Sequence, residues 1–187
     1  MLCHFEEFGK MVEITGYRGI SFGFAEEFLK ATRRQIQNGV DIQFFDADLI
    51  AAQEHLYFAA LNALQAFRGK TNRSKTVAVE TMLYASAQRQ IQRAIERIGI
   101  KPQTQNMAVL IVGEDQGQIK AQLGALSEHL GCVPDESVLQ LTADKVAKIR
   151  VAFQITDEEL ATEKRGNTER AIADLVVEHI ALLSTQQ

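Results

Sequence analysis

The side chains best equipped for chemistry in this 187-residue chain are cationic and clustered. Arg68, Lys70, Arg73, Lys75, Arg89, Arg93, Arg97 and Lys101 share one stretch with only two acids, Glu80 and Glu96. That stretch carries a net +6 while the whole chain stands at −4, so the remainder sums to −10. Guanidinium and ammonium groups make charge-assisted hydrogen bonds to phosphate, so an exposed cluster of this kind suits a polyanion. Holding a single-stranded end also requires aromatic rings or Arg planes on which bases stack. Tyr84, beside the Arg-bearing segment, is the candidate ring, with core packing as its alternative. The competing reading of the charge asymmetry is structural: basic and acidic faces that neutralise each other within the fold or an oligomer.

Other chemistries lack their motifs. Gly113-Glu114-Asp115-Gln116-Gly117 follows a predicted strand but has neither the glycine spacing nor the lysine of a nucleotide-binding loop. No nucleophile elbow or H-E-x-x-H helix occurs, so no catalytic residue, cofactor or small-molecule substrate is expected. Cys3, His4, His129 and Cys132 are zinc-type donors, but their spacing matches no common knuckle. No metal site is therefore expected, and Cys132 reads as a small core hydrophobe. His55 and His179 read as packed helical histidines, and Asp157-Glu158-Glu159 as the acidic first turn of a helix.

Composition bounds the setting. With 46% apolar and 24% charged residues, the chain has the balance of a globular protein, which excludes a disordered or collagen-like one. The longest apolar run, residues 107–112, is far short of the roughly 20 residues of a membrane span. Two cysteines cannot build a disulfide framework, and no secretory signal opens the sequence. A soluble, cytoplasmic protein with no membrane partner is expected.

The elements that must position the cations follow from periodicity. Residues 10–17 and 40–45 read as strands, 24–37 as a helix closed by Asn38-Gly39, and 49–67 as a helix capped by Asp46 or Asp48. The apolar stripe of that last helix is wide enough to imply burial on more than one side. Residues 69–76 (GKTNRSKT) form a polar, basic loop, and 77–84 read as a strand. Ser86-Ala87-Gln88 then leads into a short helix whose N-terminus can receive a phosphate. Ile91, Ala94, Ile95 and Ile98 line one face of that helix, and Arg89, Arg93 and Arg97 the opposite one. Residues 107–112 read as a buried strand, 116–130 as a helix, 138–141 as an edge strand, and 143–153 and 168–184 as helices. Interleaved strands and helices predict an α/β fold: a small mixed sheet covered by helices, with a helical C-terminal layer, in a single domain over residues 1–187.

Residues 72–100, NRSKTVAVETMLYASAQRQIQRAIERIGI, resemble the signature segment of the small accessory subunit of the KEOPS complex, the PRPK-binding protein family, which archaea also carry. The matching parts are Arg-x-Lys-Thr in the basic loop, the hydrophobic segment ending Tyr-x-Ser, and the Gln-Ile helix ending Ile-Gly-Ile. The upstream helix QEHLYFAALNALQAF, the strand NMAVLIVG and the tail LVVEHIALLST extend the likeness over most of the chain from Val40 onward. The resemblance implies a non-catalytic subunit that docks on the atypical kinase of that complex. It also implies a part in holding the single-stranded 3′ CCA end of transfer RNA, in support of threonylcarbamoyladenosine formation. Carried onto this sequence, RNA contact falls on Lys70, Arg73, Lys75, Arg89 and Arg93. Kinase contact is assigned to apolar positions of the last helix, Val176, Ile180 and Leu183, for which core packing is the alternative. The alternative function is a protein-binding regulator of the kinase with no RNA contact.

Overall fold

The computed structural model describes residues 1–20, 27–28, 31–32, 36, 39–163 and 167–185. Its frame is a four-stranded sheet of β1 (Leu2–Phe5), β2 (Lys10–Tyr17), β3 (Val40–Asp46) and β4 (Met107–Gly113), in the order β1-β2-β4-β3. β4 is apolar and buried at every position, as a strand covered on both faces must be. It runs antiparallel between β2 and β3, with Ile14 opposite Leu110 and Phe44 opposite Val109. The α/β class and the helical C-terminal layer are as expected. The pairing is antiparallel throughout rather than mixed, because β4 enters opposite in direction to both of its neighbours.

Alternation along the strands splits the core in two. Val12, Ile14, Phe45, Ala108, Leu110 and Val112 point to one face, and Tyr17, Val40, Phe44, Met107, Val109 and Ile111 to the other. The second face is covered by α4 (Gln116–Leu130) through Ile119 and Leu126. The first face takes α1 (Gln53–Gly69), α2 (Val77–Ala85) and α3 (Ile91–Ile98), together with α5 (Ala143–Phe153), α6 (Asp157–Glu163) and α7 (Thr168–Thr185). No helix among the described residues is long and apolar enough to cross a membrane.

Several local expectations change. Residues 77–84 are helical, not a strand: Thr76 Oγ1 accepts the Val79 N–H, and Val77, Ala78, Glu80, Thr81, Met82, Leu83 and Ala85 are all buried. Residues 138–141 are not an edge strand, since Glu136–Leu139 is a 3-10 turn started by Asp135, which accepts the Ser137 N–H. Asp46 caps the short turn Ala47–Leu49 rather than α1, whose N-cap is Ala52 with no side-chain acceptor. The expected helix at 24–37 lies largely outside the described residues. β1 had no counterpart in the sequence reading.

Candidate nucleic-acid interface

The loop at 70–76 begins where α1 ends. Lys70 takes a left-handed conformation (φ 56°), and the Thr71 amide returns to the Ala66 carbonyl at 2.9 Å. Within the loop, Asn72 Nδ2 donates to Ser74 O (2.9 Å) and Ser74 Oγ donates to Thr76 O (2.8 Å). The loop has no apolar anchor; a carboxylate replaces it. Glu80 of α2, buried at 2% exposure, accepts the amides of Arg73 (3.0 Å) and Ser74 (2.7 Å) through one oxygen, Oε2. With its polar atoms satisfied internally, the loop turns Lys70, Arg73 and Lys75 outward, and all three are exposed.

Arg89 and Arg93 are exposed as well. None of these five cations forms an ion pair among the described residues, so their charge is available to a ligand. The sequence-predicted arginine stripe is shorter than its spacing suggests. Arg89 precedes the helix, whose N-cap is Gln90. Arg97 is drawn inward: its Nη1 donates to Ser86 O at 3.0 Å and its guanidinium lies 5.6 Å from the centre of the Phe153 ring. Burial lowers its pKa below the ordinary arginine value. Ser86-Ala87-Gln88 does not open a helix N-terminus; it closes α2, with the Gln88 amide on Leu83 O and Ser86 buried.

Beside the loop lies a cavity of about 300 Å³ lined by Asn62 and Gln65 of α1, Arg73, Tyr84, Gln88 and Leu183. Tyr84 is half-buried here. Burial raises its phenol pKa, the Glu80 carboxylate adds to the rise, and Arg73 opposes it. The phenol is therefore a neutral hydroxyl at physiological pH. An aromatic ring, a guanidinium and three carboxamides around one opening are groups that stack on, neutralise and hydrogen-bond to an unpaired nucleotide. The basic loop and Tyr84 were both legible in the sequence; the carboxamides on α1 were not, because nothing in their spacing links them to the loop.

The apolar positions assigned to a protein partner divide differently. Val176 and Ile180 are 0% and 1% exposed and belong to the core, so the inward side of α7 cannot present them to a partner. Leu183 is half-buried and lines the cavity just described. An open apolar groove lies on the adjoining side of the same helix. A groove of about 510 Å³ runs between α1 and α7, floored by Ala52, Phe58, Ala173 and Val177 and rimmed by Glu54, Glu169 and Asp174. Phe58 stays 37% exposed, on a helix whose wide apolar stripe implied burial on more than one side.

The zinc-type donors are separated by the sheet. Cys3 packs against the first core cluster and Cys132 against the second, while the His129 ring sits 5.8 Å from that of Phe28. His55 is buried, with Nδ1 accepting the Ala51 amide (3.1 Å) and Nε2 donating to Ala85 O (2.7 Å). His179 lies 3.5 Å from Glu159.

Comparison with known proteins fits this architecture. The chain is 30% identical over 149 residues to the regulatory protein Cgi121 of Methanocaldococcus jannaschii, an alignment spanning 80% of this chain and 87% of that protein. The model of the kinase binding protein CGI-121 family matches residues 25–184, which include the basic loop, the cavity beside it and the α1–α7 groove. The match takes in α1 to α6, α7 up to its last residue, the central strand β4 and its edge partner β3, and on this ground the chain belongs to the CGI-121 family of kinase-binding proteins.

Proposed function

We propose that this protein is the small accessory subunit of a KEOPS complex, acting in the cytoplasm. It docks on the atypical kinase subunit and holds the 3′ CCA end of transfer RNA, supporting formation of threonylcarbamoyladenosine without contributing catalytic groups. The observation that carries the RNA half is the cavity that Arg73 and Tyr84 line beside the basic loop, whose exposed cations form no ion pair among the described residues. For kinase docking, the α1–α7 groove supports the reading, with Phe58 and Val177 as its apolar contacts, whereas Leu183 lines the cavity beside the basic loop. The mechanism is positional: one surface binds the kinase and another a flexible RNA end, which raises the effective concentration of RNA at the assembly.

The test is binding of transfer RNA, intact and with its CCA removed, at two salt concentrations. Trimming is expected to abolish most of the affinity. Arg73→Glu with Lys75→Glu should weaken binding and flatten its salt dependence by about two phosphate contacts, leaving kinase binding intact. Phe58→Glu with Val177→Glu should do the reverse. Equal, weak binding of trimmed and intact RNA would defeat the RNA half. That outcome would favour the second reading, a kinase regulator without RNA contact, which the α1–α7 groove supports on its own.

A further inference from the structure

The loop at 70–76 is a ridge with a cavity on each side. On one side lies the opening that contains Arg73 and Tyr84. On the other, an open hollow of about 440 Å³ is lined by Glu7, Phe8, Lys10 and Asp41, by Phe67 and Arg68 at the end of α1, and by Lys75. The first cavity holds carboxamides; this one holds none, and its lining joins two rings and three cations with the carboxylates of Glu7 and Asp41. Phe8 and Phe67 are half-buried aromatics. The Arg68 guanidinium carbon lies 4.7 Å from the centre of the Phe8 ring, so a planar cation covers an aromatic face at the cavity wall. Lys75 is exposed and forms no ion pair among the described residues.

The acids nearby do not close the site. Glu7 holds Arg68 at 2.9 Å and Glu114 holds Lys10 at 2.6 Å, but both acids are exposed, and exposed pairs contribute little that a phosphate could not replace. Asp41 is half-buried, and burial raises its pKa against the opposing effects of the Lys10 charge and the Val77 amide.

We infer that this second cavity binds one unpaired nucleotide of the same single-stranded RNA whose end occupies the first, stacking its base against Phe8 and Arg68 and placing its phosphate on Lys75. The inference rests on the RNA reading above. Arg73 and Lys75 are two residues apart, so their backbones lie within about 7 Å, and Glu80 pins the ridge between them. A strand leaving the first cavity across the ridge meets Lys75 and then the ring. Because no carboxamide faces it, the base held there is bound with little regard to its identity.

RNA oligonucleotides of three and six residues, both ending in CCA, are titrated into the full chain and into Phe8→Leu and Arg68→Gln, with thermal melts to confirm folding. The wild type should bind the hexamer about tenfold more tightly than the trimer, within the range of one stacked base. Both variants should lose that gain and keep the trimer affinity. A gain that survives both variants overturns the inference, as does an equal weakening of trimer and hexamer. Hexaglutamate peptide binding that needs Arg68, with no length-dependent RNA gain, would also overturn it and assign the cavity to an acidic protein. If the trimer does not bind but the hexamer does, in an Arg68-dependent way, the terminal-nucleotide reading fails and this one stands.

Discussion

The Oε2 atom of Glu80 accepts the Ser74 amide at 2.7 Å, a bond between a buried helical carboxylate and the middle of the most basic loop in the chain. The same oxygen takes the Arg73 amide at 3.0 Å. Bonds to an ionised acceptor are stronger than neutral ones, and removing a buried partner leaves its donors unpaired. Glu80→Ala is therefore expected to cost about 2–4 kcal/mol of stability and to speed amide exchange at Arg73 and Ser74. RNA affinity should fall too, although no cation has been touched. Glu80→Gln, which keeps an acceptor, should recover much of both losses. Undisturbed exchange in the alanine variant would contradict the pinning role.

Two arginines one helical turn apart on α3 should separate in their effects. Arg97→Ala removes a bond to Ser86 O and a cation–π contact with Phe153, which together predict about 1–2 kcal/mol of lost stability with RNA affinity little changed. Arg93→Ala should lower RNA affinity and its salt dependence while leaving the denaturation midpoint in place. Urea titration and RNA binding on the two variants decide the matter, and a matched pair of results would be inconsistent with the structure.

Gly16 is a position where the absence of a side chain matters. An added Cβ would lie 2.2 Å from Val138 Cγ2, and the Gly16 carbonyl accepts the Asp135 amide at 2.7 Å. Gly16→Ala should push the 3-10 turn away from β2 and cost about 1–3 kcal/mol. Gly124, on the exposed side of α4 with open space around it, gives the contrast. Gly124→Ala should stabilise by about 0.5–1 kcal/mol.

The pH dependence of stability is expected to carry the mark of His55. Burial, opposed by the bond to Ala85 O and reinforced by the charge of Lys145, lowers its pKa from 6.5 to about 4. Above pH 6.5 the ring is neutral whether the chain is folded or unfolded, and it contributes no slope. Between 6.5 and about 4 the unfolded chain takes up a proton that the folded one refuses, so stability falls with falling pH, by about 3 kcal/mol from this group. His55→Gln should show a shallower decline over that window when both are melted as a function of pH. Parallel curves would mean the imidazole titrates normally.

The parts of this molecule that the sequence foretold are those whose apolar residues fall in a pattern or a run of telling length. β2 alternates, α5 and α7 carry apolar stripes, and β4 is an apolar run of strand length. α2 was hidden for the opposite reason. With buried residues around most of its circumference, VAVETMLYA has no polar face to reveal a 3.6-residue period, and its valines and tyrosine favour a strand reading. The signal that could have exposed it is Thr76 as an N-cap, followed by an acid in the first turn. At the site, the exposed cations were legible because charge needs no partner to be seen in a sequence. Arg97 was misjudged because its partners, Ser86 O and Phe153, are supplied by tertiary packing, and the same cause put Val176 and Ile180 on the wrong side of α7.

The position of β4 bears on how the protein is made. Its neighbours β2 and β3 leave the ribosome about ninety and about sixty residues before it, and at about 5–20 residues per second those are intervals of several seconds. During that time two hydrophobic strands wait with the edges that will flank β4 unpaired, the condition under which nascent chains join one another. The helices encoded in the interval, α1 to α3, are local enough to form at once and to shelter one side of the waiting strands. Synthesis slowed between residues 46 and 107 should therefore lower the soluble yield of this protein, and a chaperone that covers strand edges should restore it.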